Sequence, residues 1–290
     1  LLGQETKLTR KLHDTARLHP QRVVFAEGGN PTMLKAAVQA KQEGICQPIL
    51  LGNPDRLNRV ASRLKLDLSD IEIVDMRADN EQGRRAKFAK HLAEKRAREG
   101  YSFEEDKMFE RNYFGMSMVE QGDADAFITG LYTKYSNTIK VAKDVIGIRE
   151  PYKTFGTMHI LNTQKGIYYI ADTLINRHPD EDVLIDVAKL SAGTVKFFNE
   201  EPVMAMLSYS NFGTDNIGSP VKVKKAVAEM QKEFPELAID GEMQVNYALN
   251  KDLRDEKYPF SRLKGKDVNT LVFPNLSSAN GAYKLLQGLN

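Results

Sequence analysis

Short apolar runs alternate with amphipathic segments over the first half of the chain. The runs that are typical of buried strands cover residues 22–28, 46–52, 71–75 and 125–130. The helices predicted from apolar residues at helical spacing cover residues 6–18, 31–44, 54–66, two segments within 80–121, and 137–147. Ser102 and Glu105 have the spacing of a capping box, so the second helix of the charged segment is expected to begin there. Strands that alternate with helices predict a mostly parallel sheet covered on both faces.

The pattern changes after Gly147. Two β-type runs within residues 153–175, joined by a turn at 164–166, predict an antiparallel hairpin. The alternation then resumes, with strands at 203–209, 237–243 and 269–275, and helices at 180–199, 220–234, 244–256 and after a loop over Leu276–Ala279. Because Pro151 stands just ahead of the hairpin, we place a domain boundary near residue 150. We therefore predict an α/β protein of two three-layer α/β domains with mostly parallel sheets, over residues 1–149 and 150–290.

The stretch Val203–Asp215 is the strongest candidate for a ligand-binding loop. An apolar strand runs into a polar loop that contains glycine, and a helix follows from Pro220. We expect Ser219 to be the N-cap, with Pro220 at the first helical position. Unpaired backbone N–H groups and the positive end of a helix dipole suit an anion such as phosphate. Three lysines in the first turn add positive charge, although an ordinary turn with a solvated lysine face fits the spacing equally well.

The composition is that of an ordinary globular protein. A chain of 290 residues with 41% hydrophobic content can bury a sizeable core and suits two domains. Its 41 basic and 39 acidic residues leave a net charge of +2, so nucleic acid is not the expected partner. The lone Cys46 excludes an internal disulfide framework and fits a reducing compartment. Because no apolar stretch is long enough for a membrane span and no signal-type segment opens the chain, we expect a cytoplasmic protein with no membrane partner.

Loops at the carboxyl ends of parallel strands are expected to gather along one edge, where ligands usually bind. These loops cover residues 27–30, 129–137, 208–215, 240–244 and 275–280. They are rich in Ser, Thr, Asn and Gly, which suits phosphate and amide groups better than a metal. The five histidines show no ligand spacing, so no metal site is predicted, and we interpret His159 as structural. The chain has no GxGxxG, P-loop or GxSxG motif, which argues against a dinucleotide enzyme and an acyl-enzyme serine hydrolase.

Arg96 and Lys140 are the two basic residues that we expect to face the loop side of the sheet. Arginine can grip a phosphate through two hydrogen bonds, whereas lysine acts as a point charge. Composition alone is also compatible with a solvated surface charge at each position.

Several segments together resemble the phosphate acetyl/butyryltransferase family. They are FAEGGNPTMLKAA, KRAREGYSFEE, GDADAFITG, SNTIKVAKDVIG, MAMLSYSNFGT, IDGEMQ and FPNLSSANGAYKLLQ, in the family's order from about residue 6 to residue 287. SYSNFGT, DGEMQ and FPNLSSAN look most similar to the phosphotransacetylase-like C-terminal domain of bacterial NADP-dependent malic enzymes. The free transferases more often have SYSTKGS, DGPLQ and FPDLNTGN at those places.

The resemblance implies two α/β domains with the active cleft between them, related to the isocitrate/isopropylmalate dehydrogenase architecture, and dimers formed through the second domain. It also implies binding of coenzyme A or acetyl-CoA, with the CoA thiolate attacking an acyl phosphate with help from an aspartate base and from arginines. The acyl-CoA and phosphate contacts that we assign on this basis are Arg96, Thr133, Thr138, Lys140, Ser208, Ser210, Asn211, Gly213, Asn275 and Asn280.

The sequence departs from the family at several motif positions that the resemblance associates with acyl transfer. Lys140 stands in place of the arginine of NTIRPA, Asn246 in place of the aspartate of DGPLQxDAA, and Asn275 in place of that of FPDL. The chain also stops at Asn290, before the family's segment with a Ser-Arg pair and the base aspartate, so we assign no catalytic residue.

These departures favour a regulatory role. We expect an acetyl-CoA-binding module of an NADP-dependent malic enzyme, in a homo-oligomer of dimer size or larger, with the malic and dinucleotide-binding domains outside this chain. The alternative is an active phosphate acetyltransferase that moves an acetyl group between acetyl phosphate and CoA. A dinucleotide-dependent dehydrogenase domain, suggested only by kinship of fold, is the third hypothesis.

Overall fold

The computed structural model describes residues 7–102 and 104–289. The chain divides into two compact units, Leu1–Gly147 and Ile148–Asn290, which we call unit 1 and unit 2. Each unit has its own sheet and its own apolar cores.

Unit 1 is built on a parallel sheet. Its strands in the described residues are β1 (Gln21–Phe25), β2 (Cys46–Leu51), β3 (Glu72–Val74) and β4 (Ala126–Ile128), in the order β3-β2-β1-β4. Its helices are α1 (Lys7–Leu18), α2 (Pro31–Gln42), α3 (Pro54–Leu64), α4 (Gln82–Lys95), α5 (Arg111–Glu120) and α6 (Tyr135–Val145). Every strand pairing here is parallel, which confirms the alternation predicted from the sequence.

Helices cover both faces of this sheet. Because successive residues of a strand point to opposite sides, neighbouring residues of β1 pack in different cores. Val24 packs in one core with Phe88 and Phe114, which lie on α4 and α5. Phe25 packs in the other core with Leu34, which lies on α2.

A helix does not begin at Ser102, so the predicted capping box with Glu105 is wrong. The Ser102 hydroxyl donates instead to the carboxylate of Glu104, two positions further on. A short 3₁₀ turn over Glu105–Phe109 follows, and α5 begins only at Arg111.

Unit 2 carries a mixed sheet. Its strands in the described residues are β5 (Met158–Thr163), β6 (Gly166–Ala171), β7 (Val203–Leu207), β8 (Ala238–Met243) and β9 (Thr270–Val272), in the order β5-β6-β9-β7-β8. Its helices are α7 (Glu181–Phe197), α8 (Ser219–Glu233), α9 (Val245–Leu249), α10 (Lys251–Lys257) and α11 (Leu276–Leu289). Strands β5 and β6 pair antiparallel and the other pairs are parallel, which confirms the hairpin and an α/β fold dominated by parallel strands.

Two helix boundaries in unit 2 differ from the sequence prediction. Helix α11 begins at Leu276, so residues 276–279 form its first turn and not a loop. The predicted helix over 244–256 is two short helices, because Asn250 adopts an extended conformation and its side chain caps α10 at the Leu253 N–H.

Helix α8 begins one residue earlier than expected. Gly218 is the N-cap and Ser219 is the first helical residue, so the predicted Ser219 cap is wrong. The Ser219 hydroxyl oxygen is buried and has no hydrogen-bond partner within the described chain. Since α8 follows β7, its N-terminus lies at the carboxyl end of the parallel strands, where the candidate residues are expected.

Candidate functional site

The loop after β7, Ser208–Asp215, folds back on the end of β8. The Phe212 N–H donates to the Glu242 carbonyl oxygen at 2.8 Å. Within the loop, the hydroxyl oxygens of Ser210 and Thr214 lie 2.9 Å apart, and Ser210 is 3% exposed. Ser210 therefore has a structural role in holding the shape of this loop.

The Glu242 side chain occupies the middle of the loop. It is 1% exposed, and its Oε1 accepts hydrogen bonds from the Gly213 N–H at 2.5 Å and from the Ser210 hydroxyl at 3.3 Å. Its Oε2 is buried and has no hydrogen-bond partner in the described part of the chain. Of the two interpretations left open by the sequence, an anion site with unpaired donors and an ordinary turn, the first does not hold for the Gly213 N–H and the Ser210 hydroxyl. An internal carboxylate already accepts from them, because β8 delivers an acid to the centre of the loop.

Asn211 and Ser208 differ in how far the protein itself uses their side chains. Asn211 is 7% exposed, and its Oδ1 accepts from the Gln244 N–H at 2.8 Å, which ties the loop to the start of α9. The Ser208 oxygen accepts from the Ser210 N–H at 3.4 Å. Among the described residues no acceptor is found for the Ser208 hydroxyl hydrogen, so this group can donate to a ligand.

The lysines at the start of α8 have separate environments. The ammonium group of Lys222 donates to the Pro179 carbonyl at 2.7 Å, and burial lowers the pKa of Lys222. Lys225 forms an ion pair with an acid of α7 at 3.3 Å. Lys224 lies nearest the loop, since its Nζ is 3.7 Å from the place where a Cβ on Gly213 would stand. Lys224 is thus the lysine best placed to meet an anion beside this loop.

Asn275 and Asn280 lie beyond the end of β9 and serve helix α11. The Asn275 Oδ1 accepts from the Ser278 N–H at 2.9 Å, as an N-cap does. The Asn280 amide donates to the Thr173 carbonyl at 3.2 Å, which joins α11 to the loop after β6. Both side chains lie at the predicted edge of the sheet, and each is held by the protein itself.

Two further buried acids of unit 2 were not singled out from the sequence. Asp172, directly after β6, accepts from the Asn176 N–H at 2.7 Å. Asp240, in β8, accepts from the Ser261 hydroxyl at 2.7 Å and from the Arg262 N–H at 2.8 Å. The signal that could have found them is an acid inside or directly after an apolar strand, since such an acid must be hydrogen-bonded.

In unit 1, Thr133 borders a cavity of about 270 Å³ near the start of α6. The same cavity is lined by Arg77 and Arg111, which the sequence analysis missed because they lie far apart in a charged region. Thr138, one turn along α6, has a buried hydroxyl oxygen without a partner in the described residues, and Lys140 is exposed on the same helix. Thr133 thus lines a cavity together with two arginines, whereas Lys140 is exposed to solvent.

Arg96 does not face the loop side of the sheet, which corrects the sequence prediction. Its Nε donates to the Asp144 carbonyl at 2.8 Å, a second nitrogen donates to the Lys143 carbonyl, and a third pairs with Glu99 at 2.7 Å. These carbonyls belong to the last turn of α6, and that helix starts near the carboxyl end of β4 and runs away from it. A cation at a helix C-terminus is stabilising, so Arg96 caps α6 and a phosphate contact remains only a prediction.

His159 is held inside unit 2. Its Nδ1 lies 2.7 Å from the Thr173 hydroxyl oxygen, and its ring stacks on Tyr283 with ring centres 4.0 Å apart. Burial, with a smaller effect from the charge of Lys284, lowers the pKa of His159. These contacts fit the structural interpretation of this histidine.

Over residues 7–102 and 104–289, no group of three or more His, Cys, Asp or Glu side chains is arranged to hold a metal ion. In the same residues, no helix combines the length and apolar character that crossing a membrane requires.

Comparison of the sequence with known families gives one match over nearly the whole chain. The model of the phosphate acetyl/butaryl transferase family matches residues 7–290. The chain is 34% identical over 287 residues to the NADP-dependent malic enzyme of Escherichia coli K12, which covers 96% of this chain and 37% of that enzyme. It is 31% identical over 291 residues to the phosphate acetyltransferase of Thermoanaerobacterium thermosaccharolyticum, which covers 97% of this chain and 87% of that enzyme.

Comparison with solved structures also finds phosphotransacetylases. The fold is similar to that of the EutD phosphotransacetylase from Staphylococcus aureus, with a TM-score of 0.84, 28% identity, and coverage of 97% of this chain and 86% of that one. A phosphotransacetylase from Streptococcus pyogenes gives a TM-score of 0.85 with the same identity and the same coverage. The chain thus spans most of a phosphotransacetylase but only 37% of the malic enzyme sequences that it matches.

Proposed function

The chain belongs to the phosphate acetyl/butaryl transferase family, and from this premise we propose that it is an acetyl-CoA-binding regulatory domain of an NADP-dependent malic enzyme. Oxidative decarboxylation of malate would then be carried by domains outside this chain, and acetyl-CoA bound here would regulate that reaction. The proposal includes a cytoplasmic location and a homo-oligomer.

The alignments support the acyl-CoA part of this proposal in two ways. The chain matches a limited part of a malic enzyme, as a domain of a larger protein would. It also matches 87% of the phosphate acetyltransferase of Thermoanaerobacterium thermosaccharolyticum, although it matches only 38% of that of Escherichia coli K12. Family membership by itself therefore supports acyl-CoA binding and leaves both roles open.

Glu242 is the observation that favours binding without transfer. The free transferases that this chain resembles more often have DGPLQ, with proline at that position, and proline has no carboxylate. Here a fixed carboxylate accepts from the Gly213 N–H and the Ser210 hydroxyl. A negative charge in that place opposes the phosphate group of acetyl phosphate, which leaves as the acetyl group passes to the CoA sulfur, because like charges in a partly buried site disfavour each other. Transfer chemistry requires the opposite, which is preorganised positive charge.

The contacts that we propose for acetyl-CoA are those with a free donor or a free charge. In unit 2 these are the Ser208 hydroxyl and the Lys224 ammonium group. In unit 1 they are Thr133, Thr138 and Lys140. Asn275 and Asn280, whose side chains already hydrogen-bond within the protein, are proposed only from the family resemblance.

Calorimetry with acetyl-CoA tests the proposal on the 290-residue chain. We expect binding, and we expect Ser208→Ala to raise Kd by about 2- to 13-fold, from about 0.5–1.5 kcal/mol per hydrogen bond. Ser62→Ala, on the exposed side of α3, is the matched control and should leave Kd unchanged. An absence of binding at millimolar acetyl-CoA contradicts the proposal.

An active phosphate acetyltransferase is the second candidate, and the alignment with 87% of the Thermoanaerobacterium thermosaccharolyticum enzyme favours it. The discriminating measurement is CoA-dependent arsenolysis of acetyl phosphate. Steady turnover would establish the transferase, whereas binding of acetyl-CoA without turnover supports the regulatory role. Ser208→Ala should lower turnover only if the transferase reading is correct.

A further inference from the structure

Unit 1 has a larger cavity at the carboxyl ends of β1, β2 and β3. Its volume is about 400 Å³, which is within the range of small-molecule sites. Three arginines line it: Arg56 on α3, Arg77 after β3, and Arg111 at the start of α5. Arg77 and Arg111 also border the smaller cavity beside Thr133, so the two cavities are neighbours.

The three guanidinium groups have no hydrogen bond or ion pair to another residue of the described chain. Several other arginines of unit 1 are paired, as Arg22 is with Asp125 at 2.8 Å. Gathering three unpaired positive charges around one cavity is unfavourable, and a bound anion relieves that repulsion. Because arginine matches phosphate through two hydrogen bonds, a phosphate group is the anion that fits best.

The backbone around the cavity adds to this positive potential. Helices α2 and α3 both begin at this edge, capped by the side chains of Asn30 and Asn53. The positive ends of their dipoles therefore lie at the cavity. The Arg56 guanidinium group lies beside this main chain, since its Nε is 3.4 Å from the place where a Cβ on Gly29 would stand.

Glu27 adds a hydrogen-bond acceptor to the wall of the cavity. This residue lines the cavity and is 1% exposed. Its Oε1 accepts from the Thr129 hydroxyl and from the Gly130 N–H, both at 3.1 Å. Its Oε2 is buried and has no partner in the described residues, which leaves an acceptor that a ligand donor can satisfy. The other lining acid, Asp75, already accepts from an amide of Asn53 at 3.2 Å.

From this arrangement we infer that the cavity binds a small phosphate ester that also carries a hydroxyl group. The arginines hold the phosphate, and the hydroxyl donates to the Glu27 Oε2. The inference does not rest on acetyl-CoA binding, since none of the residues proposed as acetyl-CoA contacts lines this cavity. The same chemistry is offered by a free sugar or polyol phosphate and by the phosphorylated ribose of a nucleotide.

Calorimetry with glycerol 3-phosphate and with n-propyl phosphate tests the inference, because the two probes differ in their hydroxyl groups. We expect glycerol 3-phosphate to bind, and at least fivefold more tightly than n-propyl phosphate. Arg77→Ala and Arg111→Ala should each weaken binding by about tenfold or more, as loss of a charge-assisted hydrogen bond does. Arg56→Ala should weaken it, whereas Arg63→Ala, an exposed arginine at the other end of α3, should not.

Glu27→Gln tests the hydroxyl part. It should remove the preference for glycerol 3-phosphate over n-propyl phosphate while both still bind. If this buried variant does not fold, as judged by circular dichroism, the three arginine variants still decide the phosphate part. No heat with glycerol 3-phosphate at 10 mM probe, or equal binding by the Arg56→Ala and Arg63→Ala variants, would overturn the inference.

A competition measurement separates the two sources of the phosphate ester. If 3′,5′-adenosine bisphosphate displaces glycerol 3-phosphate, the cavity takes the nucleotide form, and if it does not, the cavity takes the free ester. Binding of glycerol 3-phosphate without binding of acetyl-CoA would remove only the proposed function. Binding of acetyl-CoA without any effect of the three arginine variants on either phosphate probe would remove only this inference.

Discussion

Replacing Glu242 by alanine tests whether an internal carboxylate fills the loop after β7. The variant leaves the Gly213 N–H without its acceptor at 2.5 Å. The Ser210 hydroxyl is less affected, since it keeps the Thr214 oxygen at 2.9 Å as a neighbour. A hydrogen bond to a charged group contributes about 1.5–3 kcal/mol. Because the variant also removes the unpartnered and buried Oε2, we expect a net loss of about 2 kcal/mol in the free energy of unfolding.

The assay is thermal unfolding in buffers with and without phosphate. A loss of about 2 kcal/mol corresponds to a fall in Tm of about 4–8 °C for a protein of this size. Glu242→Gln keeps one acceptor oxygen and should lose about half as much. Glu256→Ala, an exposed acid on α10, is the control and should leave Tm within about 1 °C.

Phosphate should then stabilise the Glu242→Ala variant more than the natural chain. Removing the carboxylate frees the Gly213 N–H for an external anion, and a ligand at 100 times its Kd adds about 2.7 kcal/mol to stability. The reasoning is refuted if Glu242→Ala unfolds at the same temperature as the natural chain. It is also refuted if phosphate raises the Tm of both proteins equally.

Three further substitutions test other contacts. Arg96→Ala should lower the free energy of unfolding by about 2 kcal/mol, because two carbonyls of α6 lose their donor. The measurement is urea denaturation, and an unchanged midpoint would exclude the capping role. Hydrogen bonds from Arg22 lower the pKa of Asp125 to about 2. The ionised Asp125 therefore stabilises the folded chain fully above its unfolded pKa near 4, and this stabilisation is lost as the pH falls towards 2. Asp125→Asn should flatten stability against pH in that window, and an unaltered acid profile would contradict the assignment. Gly115→Ala should destabilise by about 1–3 kcal/mol in the same urea assay, because the added Cβ overlaps the Phe127 ring; full stability would show that the ring can move.

The alternation of strands and helices could be predicted because it depends on local patterns. Apolar runs of strand length and helical spacing are properties of neighbouring residues, and Pro31 and Pro54 mark helix starts directly. The exact helix starts were less accessible. Either Gly218 or Ser219 can be the N-cap of a helix with Pro220 in its first turn. The path of the loop from β7 determines which of the two it is.

The partners that decide the roles of Arg96 and Gly213 could not be predicted, since they are distant in the chain. Arg96 was expected to meet a phosphate because arginine does so in the resembled family. It meets carbonyls of α6 instead, and only the packing of α4 against the end of α6 brings them together. The arginine-lined cavity has the same origin: Arg77 and Arg111 follow different elements and converge only in the folded unit.

The pairing of β7 with β8 is irregular at one step, where Leu207 pairs with Met243 and the register passes over Glu242. A Cβ on Gly241 would collide with the Met206 carbonyl, so only glycine permits the two strands to approach so closely there. Glu242 consequently holds the loop twice, by its carbonyl through Phe212 and by its carboxylate through Gly213. Since β8 is the outermost strand of its sheet, a ligand that displaced the loop would also displace an edge strand of unit 2.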